Sequence, residues 1–445
     1  MNRQYLLVCF IFISLNGIAL EEEKKFGIEF HGYVKTDFIY DSRQTVCFRE
    51  GHFYLFPQNE LRDYKGNDIN ARPVFNILAI QTRLTGNISG PEAFGAKTSG
   101  LIEGSFFGNV NSNLNVFRLR HAMVKLAWPH AELMIGQYWH PMFITSAFPE
   151  TVSFNTGAPF QPFSRNPQIR FTKKWNKFSI SGTVLEQIDF LSSGPLPENT
   201  SSKYMKNACI PEFNFSAEFK SDKIQVGGGY NIKNLMPRTY VETLDSLGEN
   251  PDNIRMKTGE RLVAQSFFAY AKLSSQKITY KLYGVLGQEM SSMTGIGGYA
   301  EHEYIFETFP DEIPDGYPNR LLTSITYTPI STFSAWTEIL TNGKTWQIGL
   351  YAGFTKNMGA PDSISGKFYG RGLDAAAYVN YIYRISPRLV YTIGKFRIAP
   401  EIEYTVAAFA TKDDLDHLYI DSKGKVIRSK EIPNYRFLIG VYYLF

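Results

Sequence analysis

Cysteine is scarce in this sequence. Only Cys9, Cys47 and Cys209 occur in 445 residues, too few for a disulfide-built scaffold. Long apolar runs are missing too: beyond residue 20 nothing approaches the about 20 apolar residues that a spanning helix needs, and mean hydropathy is −0.21. A helical membrane protein is thereby excluded. Charge of one sign is absent, with a formal net charge of +4, so bulk charge selects no partner and nucleic acid is not expected. The histidines lie scattered at 31, 52, 121, 130, 140, 302 and 417. Neither a Gly-x-Ser-x-Gly elbow nor a His-Glu-x-x-His zinc motif occurs, so the sequence reads as no enzyme, without cofactor or metal. Glu301, His302 and Glu303 form the densest metal-like cluster, but adjacent residues point apart, and a solvated loop is the better reading. Gly227, Gly228 and Gly229 lie in a strand-like run rather than before a helix, which favours close packing or a bend over a phosphate loop.

What is present begins at the N-terminus. Arg3 precedes an apolar run over 5–13, small residues follow, and charged residues start at Glu21. This reads as a signal peptide over 1–20, cut after Ala19 or Leu20, with the mature domain at 21–445. Losing Arg3 lowers the formal net charge from +4 to +3. Cys47 and Cys209 remain in loops, either bridged or as two free thiols.

Aromatics make up 15% of the chain, with 35 Phe and 27 Tyr, and they accumulate in short alternating segments. In the last eleven residues Tyr435, Phe437, Ile439, Val441, Tyr443 and Phe445 share one face. Over 33–41, Val34, Thr36, Phe38 and Tyr40 oppose Lys35 and Asp37; over 396–407, Phe396, Ile398, Ile402, Tyr404 and Val406 oppose Arg397, Glu401 and Glu403. Charges on one side only suit a water-filled lumen and not a packed sandwich core.

Connection lengths set the topology. Short turns at 90–97, 129–130, 176–177, 221–222, 275–276, 342–344 and 394–395 interleave with longer loops near 42–74, 109–115, 140–166, 191–210, 234–260, 291–320, 356–372 and 410–434. Seven turns and eight loops join sixteen strands, with both ends on the short-turn side, in one all-β transmembrane antiparallel β-barrel. The count takes 321–340 and 373–393 as single strands interrupted by Pro329 and Pro387; were each a hairpin, there would be eighteen.

The terminal Phe445, the strand 117–126, the strand end Gly136-Gln137-Tyr138-Trp139 and the long third loop resemble the porin superfamily of Gram-negative outer membranes, more loosely the DcaP-like and phosphate-selective trimeric porins. That resemblance implies an outer-membrane location, lipid and small hydrophilic solutes as partners, a homotrimer, passive diffusion, a constriction built by loop 140–166, and Phe445 as an assembly signal. A closed or plugged barrel serving a structural or adhesive role is the competing expectation.

Parity places Arg118 and Arg120 on the inner face of strand four, Gln168, Arg170 and Lys174 on that of strand six, and Arg83 and Glu103 on neighbouring strands. Arg388 and Arg397 join from the far end of the chain. Loop 140–166, with Phe143, Phe148, Phe154, Phe160 and Phe163, is expected to pack against the inner wall and leave Glu150 and Arg165 toward water. Arginine is weakly hydrated enough to contact anions, so mild anion preference follows. Strand four carries an internal conflict: parity from Arg118 puts Lys125 on the lipid side unless a bulge near His121 intervenes or Lys125 lies at the membrane edge.

Overall fold

The computed structural model describes residues 26–108, 111–243, 254–308 and 320–445. The expected signal peptide lies outside the described residues, as do 109–110, 244–253 and 309–319 in three of the loops.

Sixteen antiparallel strands close into a barrel. They are β1 (Gly27–Asp41), β2 (Val74–Leu78 continuing as Arg83–Ser89), β3 (Lys97–Ser105), β4 (Arg118–Trp128), β5 (Ala131–Trp139), β6 (Arg165–Trp175), β7 (Phe178–Leu185), β8 (Glu212–Lys220), β9 (Ile224–Leu235), β10 (Leu262–Ser274), β11 (Ile278–Gln288), β12 (Ser331–Thr341), β13 (Trp346–Gly359), β14 (Val379–Ile393), β15 (Phe396–Ala410) and β16 (Ser429–Leu444). Each pairs with its chain neighbours, and β1 closes the ring on β16 from Tyr33 opposite Leu444 to Asp41 opposite Arg436. Closure removes both sheet edges, the condition under which strands can cross hydrocarbon without unpaired backbone groups.

The period-2 alternation sorts side chains as expected. On β16, Tyr435, Phe437 and Ile439 are 45–48% exposed, whereas Arg436 between them is 0% exposed. Val406 departs from this pattern: it is buried rather than lipid-facing, because the upper part of β15 is covered by other segments. Strand lengths are uneven. From β3 to β8 they run 8–11 residues, about what a tilted span requires, while β13 to β16 run 14–16 and rise beyond it.

Sixteen is reached by a different route from the one the prolines suggested. Arg320–Pro329 is a strand, but it leaves the wall and pairs with Gly297–Thr308, which also pairs with Phe368–Arg371. Only Ser331–Thr341 is barrel wall. Pro387 does sit inside one continuous strand; the ladder from β14 to β15 lacks the pairs at Ser386 and Pro387 and again at Leu389 and Val390, opposite Pro400, and keeps one register through both gaps, the local cost of two missing N–H groups. The conflict on β4 is resolved by a bulge. Glu103 faces His121 and Gly104 faces Leu119, leaving Arg120 as the extra residue. Arg120 and His121 are both buried, Val124 is turned outward, and Lys125 approaches Glu132 at 4.0 Å.

The glycine triplet serves close packing. A Cβ at Gly227 would lie 2.6 Å from the Tyr270 hydroxyl and one at Gly229 2.3 Å from the Phe215 carbonyl oxygen. Glu301 is not a solvated loop residue. It is 2% exposed, accepting from Arg238, Tyr304 and Tyr369, while His302 Nδ1 lies 2.6 Å from the Ser363 carbonyl. Burial pushes the Glu301 carboxyl up, but these donors outweigh it and hold it below the ordinary carboxylate range. Among the described residues no His, Cys, Asp and Glu cluster could hold a metal. Cys47 and Cys209 are free thiols.

Phe445 completes the ring by exchanging two backbone hydrogen bonds with Gly32, each 3.1 Å, and its ring stays 46% exposed on the outer surface. Phe445→Asp is therefore expected to reduce the yield of folded barrel, read as the heat-sensitive fast-migrating band in detergent gels, while leaving the soluble chain intact. An unchanged folded fraction would show that closure does not use the terminal ring.

Candidate functional site: the lumen constriction

Loop 140–166 leaves β5 and crosses the lumen. At its base the Trp139 and Phe143 rings stack, centroids 3.9 Å apart, and Phe163 meets Trp139 edge-on at 4.9 Å. Beyond this aromatic hinge the loop is fastened to the far wall by charged side chains. Lys272 on β10 donates to the Ser146 carbonyl at 2.9 Å; Lys281 on β11 donates to the Phe148 carbonyl at 2.9 Å and to Glu150 at 2.7 Å. Glu338 on β12 accepts from the Glu150 N–H, Glu401 on β15 from the Ser153 N–H, and Glu403 from the Asn155 amide. Arg384 on β14 donates to the Ala158 carbonyl, and Lys35 on β1 to the Val152 carbonyl. A buried backbone needs partners for its N–H and C=O groups, and the wall supplies them as ions.

A second loop also enters. Thr45–Phe48 and Phe53–Pro57 form a hairpin whose second strand is wholly buried. Phe53 contacts Phe154, Phe163 and Phe190 at centroid distances of 5.5, 4.9 and 5.6 Å, and Arg384 donates to the Leu55 carbonyl at 2.7 Å. Each such ring withdrawn from water contributes about 1.5–3 kcal/mol. The sequence reading treated 42–74 as an outer loop. The signal for this hairpin was the apolar run Phe53-Tyr54-Leu55-Phe56 inside it.

Below the crossing loop, on the side of the short turns and both termini, lies a cavity of about 420 Å3 lined by Arg83, Glu103, Arg120, Glu150 and Arg397 among others. These five expected residues are thus brought to one chamber. Glu103 is its hub, accepting from Arg120 at 2.6 Å and Thr85 at 3.0 Å, with Arg83 at 3.6 Å. The remaining expected residues lie elsewhere. Arg118 and Arg165 both pair with Asp189, Arg165 at 3.0 Å; Arg165 is 1% exposed and does not face water as expected. Arg170 donates to Gln168 and the Trp139 carbonyl beside a separate cavity of about 210 Å3. Arg388 is buried against Glu338 at 2.9 Å and braces the wall.

Sequence reasoning missed Asp189, whose carboxyl burial would raise but Arg165 and Arg118 hold down to about 2. It also missed Arg49. This side chain is 0% exposed, lies 4.5 Å from the Phe107 ring centroid and 4.6 Å from that of Phe154, and among the described residues donates one long bond, to the Gly108 carbonyl. Burial, then repulsion from Arg165, push its guanidinium down to about 9, so it remains charged at neutral pH. Among the described residues five arginines (49, 83, 118, 120 and 165) here face two carboxylates, and several of their N–H groups have no hydrogen-bond partner.

Glu338 offers the sharpest structural test. It is 0% exposed and pairs with Lys281 and Arg388, both at 2.9 Å. Glu338→Leu takes from buried Arg388 its ion-pair partner and leaves Lys281 with Glu150 alone, and a loss of about 3–5 kcal/mol is expected, read as a lower denaturant midpoint of the folded barrel in detergent. A midpoint within error of the parent would mean that loop 140–166 does not depend on this carboxylate.

No protein-family model matches the chain, and no curated protein does. Solved structures do. The outer membrane channel DcaP of Acinetobacter baumannii is similar with a TM-score of 0.63 at 14% identity, over 96% of this chain and 99% of that one. In-vitro folded OmpT, an outer membrane protein of Vibrio cholerae, is similar with a TM-score of 0.51 at 8% identity, over 96% and 100%. A trimer form of OmpT gives 0.50 at 9%, over 94% and 99%. At these identities the likeness is one of fold: the chain has the fold of Gram-negative porins.

Proposed function

We propose that this chain is an outer-membrane, porin-like channel for passive diffusion of small hydrophilic solutes, with a preference for anions. The observation that carries the reading is the chamber beside loop 140–166, where Arg83, Arg120 and Arg397 outnumber Glu103 and Glu150. Low-dielectric walls focus the field of such a cluster on passing ions. Export by a leader at 1–20, residence among outer-membrane lipids and assembly as a homotrimer belong to the same proposal, supported by the lipid-facing apolar belt and by the similar OmpT trimer.

One observation favours the competing reading of a plugged barrel with a structural or adhesive role: the buried hairpin Thr45–Phe48 and Phe53–Pro57 packs aromatic rings against loop 140–166. Single-channel recording separates the two, since a plugged barrel carries no steady current.

For selectivity, Arg83→Glu combined with Arg397→Glu is expected to move the zero-current potential in a salt gradient toward cations. Both residues are partly exposed. The shift should shrink in concentrated salt, where the screening length falls to about 3 Å at 1 M. An unmoved potential would sink the assignment of these arginines to the filter.

A further inference from the structure

The end of the barrel that carries the short turns bears a ring of lysines without ion-pair partners among the described residues. Lys97, Lys177, Lys223, Lys277, Lys344 and Lys395 come from six of the seven turns, and all six are exposed. None of their ammonium groups has an ion-pair partner among the described residues, in contrast to Lys174 one turn-length inward, which pairs with Glu132 at 3.1 Å. The same turns contain only Glu92 and Asp222 as carboxylates.

The lysines are not placed at random along the sequence. Lys177 is followed by Phe178, Lys223 by Ile224, Lys277 by Ile278 and Lys395 by Phe396, and Lys344 precedes Trp346 by two. Those apolar neighbours face outward and are 42–60% exposed. Five turns thus repeat one unit, a cation immediately beneath a lipid-facing apolar or aromatic residue. Aromatics of this kind sit at the level of the headgroups, and a lysine stem lets its ammonium reach the adjoining interface.

We infer that this rim is a binding surface for anionic phospholipid headgroups, of the phosphatidylglycerol type, in the leaflet that meets the short turns. The chemistry is charge complementarity: ammonium groups with no ion-pair partner among the described residues stand where a lipid phosphate lies, and a lipid of net negative charge is favoured over a zwitterionic one. A basic residue near such a surface favours the anionic lipid by about five-fold. The inference rests on the chain being a lipid-embedded barrel, and not on whether its pore is open.

Trp175 and Trp346 are 50% and 56% exposed and flank Lys177 and Lys344, so they report lipid at the rim directly. Folded protein in phosphatidylcholine vesicles would be given a minor fraction of either brominated phosphatidylglycerol or brominated phosphatidylcholine, and tryptophan quenching compared at equal mole fraction. Quenching by the brominated phosphatidylglycerol should be several-fold more efficient, and the excess should fall in concentrated salt. In the variant K177Q/K223Q/K277Q/K344Q/K395Q the two lipids should quench alike; should that chain not fold, K177Q/K344Q removes the two cations beside the reporters and should lower the excess. Equal quenching of the parent protein, or an excess that survives loss of the lysines, overturns the proposal. Quenching by neither lipid overturns the lipid-embedded reading beneath it.

Discussion

Closed barrels face a problem that packed domains do not: a loop that crosses the inside must satisfy its backbone without a strand neighbour. Here the solution is ionic. Lys35, Lys272, Lys281 and Arg384 donate to carbonyls of loop 140–166, and Glu338 and Glu401 accept its N–H groups. Most of those ions are compensated in turn by other wall residues, as Lys281 is by Glu338, Lys35 by Asp37 and Arg384 by Glu403. The position of the loop and the shape of the chamber beneath it depend on this framework. A buried pair broken on one side costs more than the intact pair contributes, so the framework specifies a single loop position more than it adds stability.

Positive charge also crowds on the other side of the loop, where carboxylates and not loop carbonyls hold it. Arg49 enters on a hairpin that closes over the aromatic hinge, Arg165 lies at the foot of β6, and Arg118 and Arg120 lie on β4 where the bulge turns two successive residues inward. Asp189 and Glu103 hold this group together without neutralising it.

How much could be read from the residues varied with the range over which each signal acts. Strand faces were legible because alternation is local: Lys35 against Val34 and Arg436 against Tyr435 needed no tertiary knowledge. Turn positions followed from composition, and the strand number survived although its rationale at Pro329 did not, since nothing local to 320–329 says that this strand pairs with 297–308 instead of the wall. The bulge at Arg120 was legible only as a conflict in parity at Lys125. Loop 140–166 declared its inward packing through its phenylalanines, but the roles of Arg118 and Arg165 as bonded wall residues depended on Asp189, and that of Arg170 in part on the Trp139 carbonyl, partners that no periodicity relates to them. The hairpin at 45–57 was missed because its apolar run was assigned by its place between strands instead of by its content.

Many of the bonds that shape the interior join residues that are far apart in the chain. Leu55 is bonded to Arg384 across 329 positions, Asp41 to Arg436 across 395, and Ser153 to Glu401 across 248. The early-synthesised hairpin and the crossing loop therefore lack part of their partners until β14, β15 and β16 have taken their places. Contacts this distant bring slow, late ordering: the wall up to β13 can be laid down strand by strand, but the packing of the lumen is completed only as the ring shuts. A nearly complete barrel would hold unpaired lysines, arginines and glutamates inside, so sealing the seam and furnishing the interior amount to a single cooperative event.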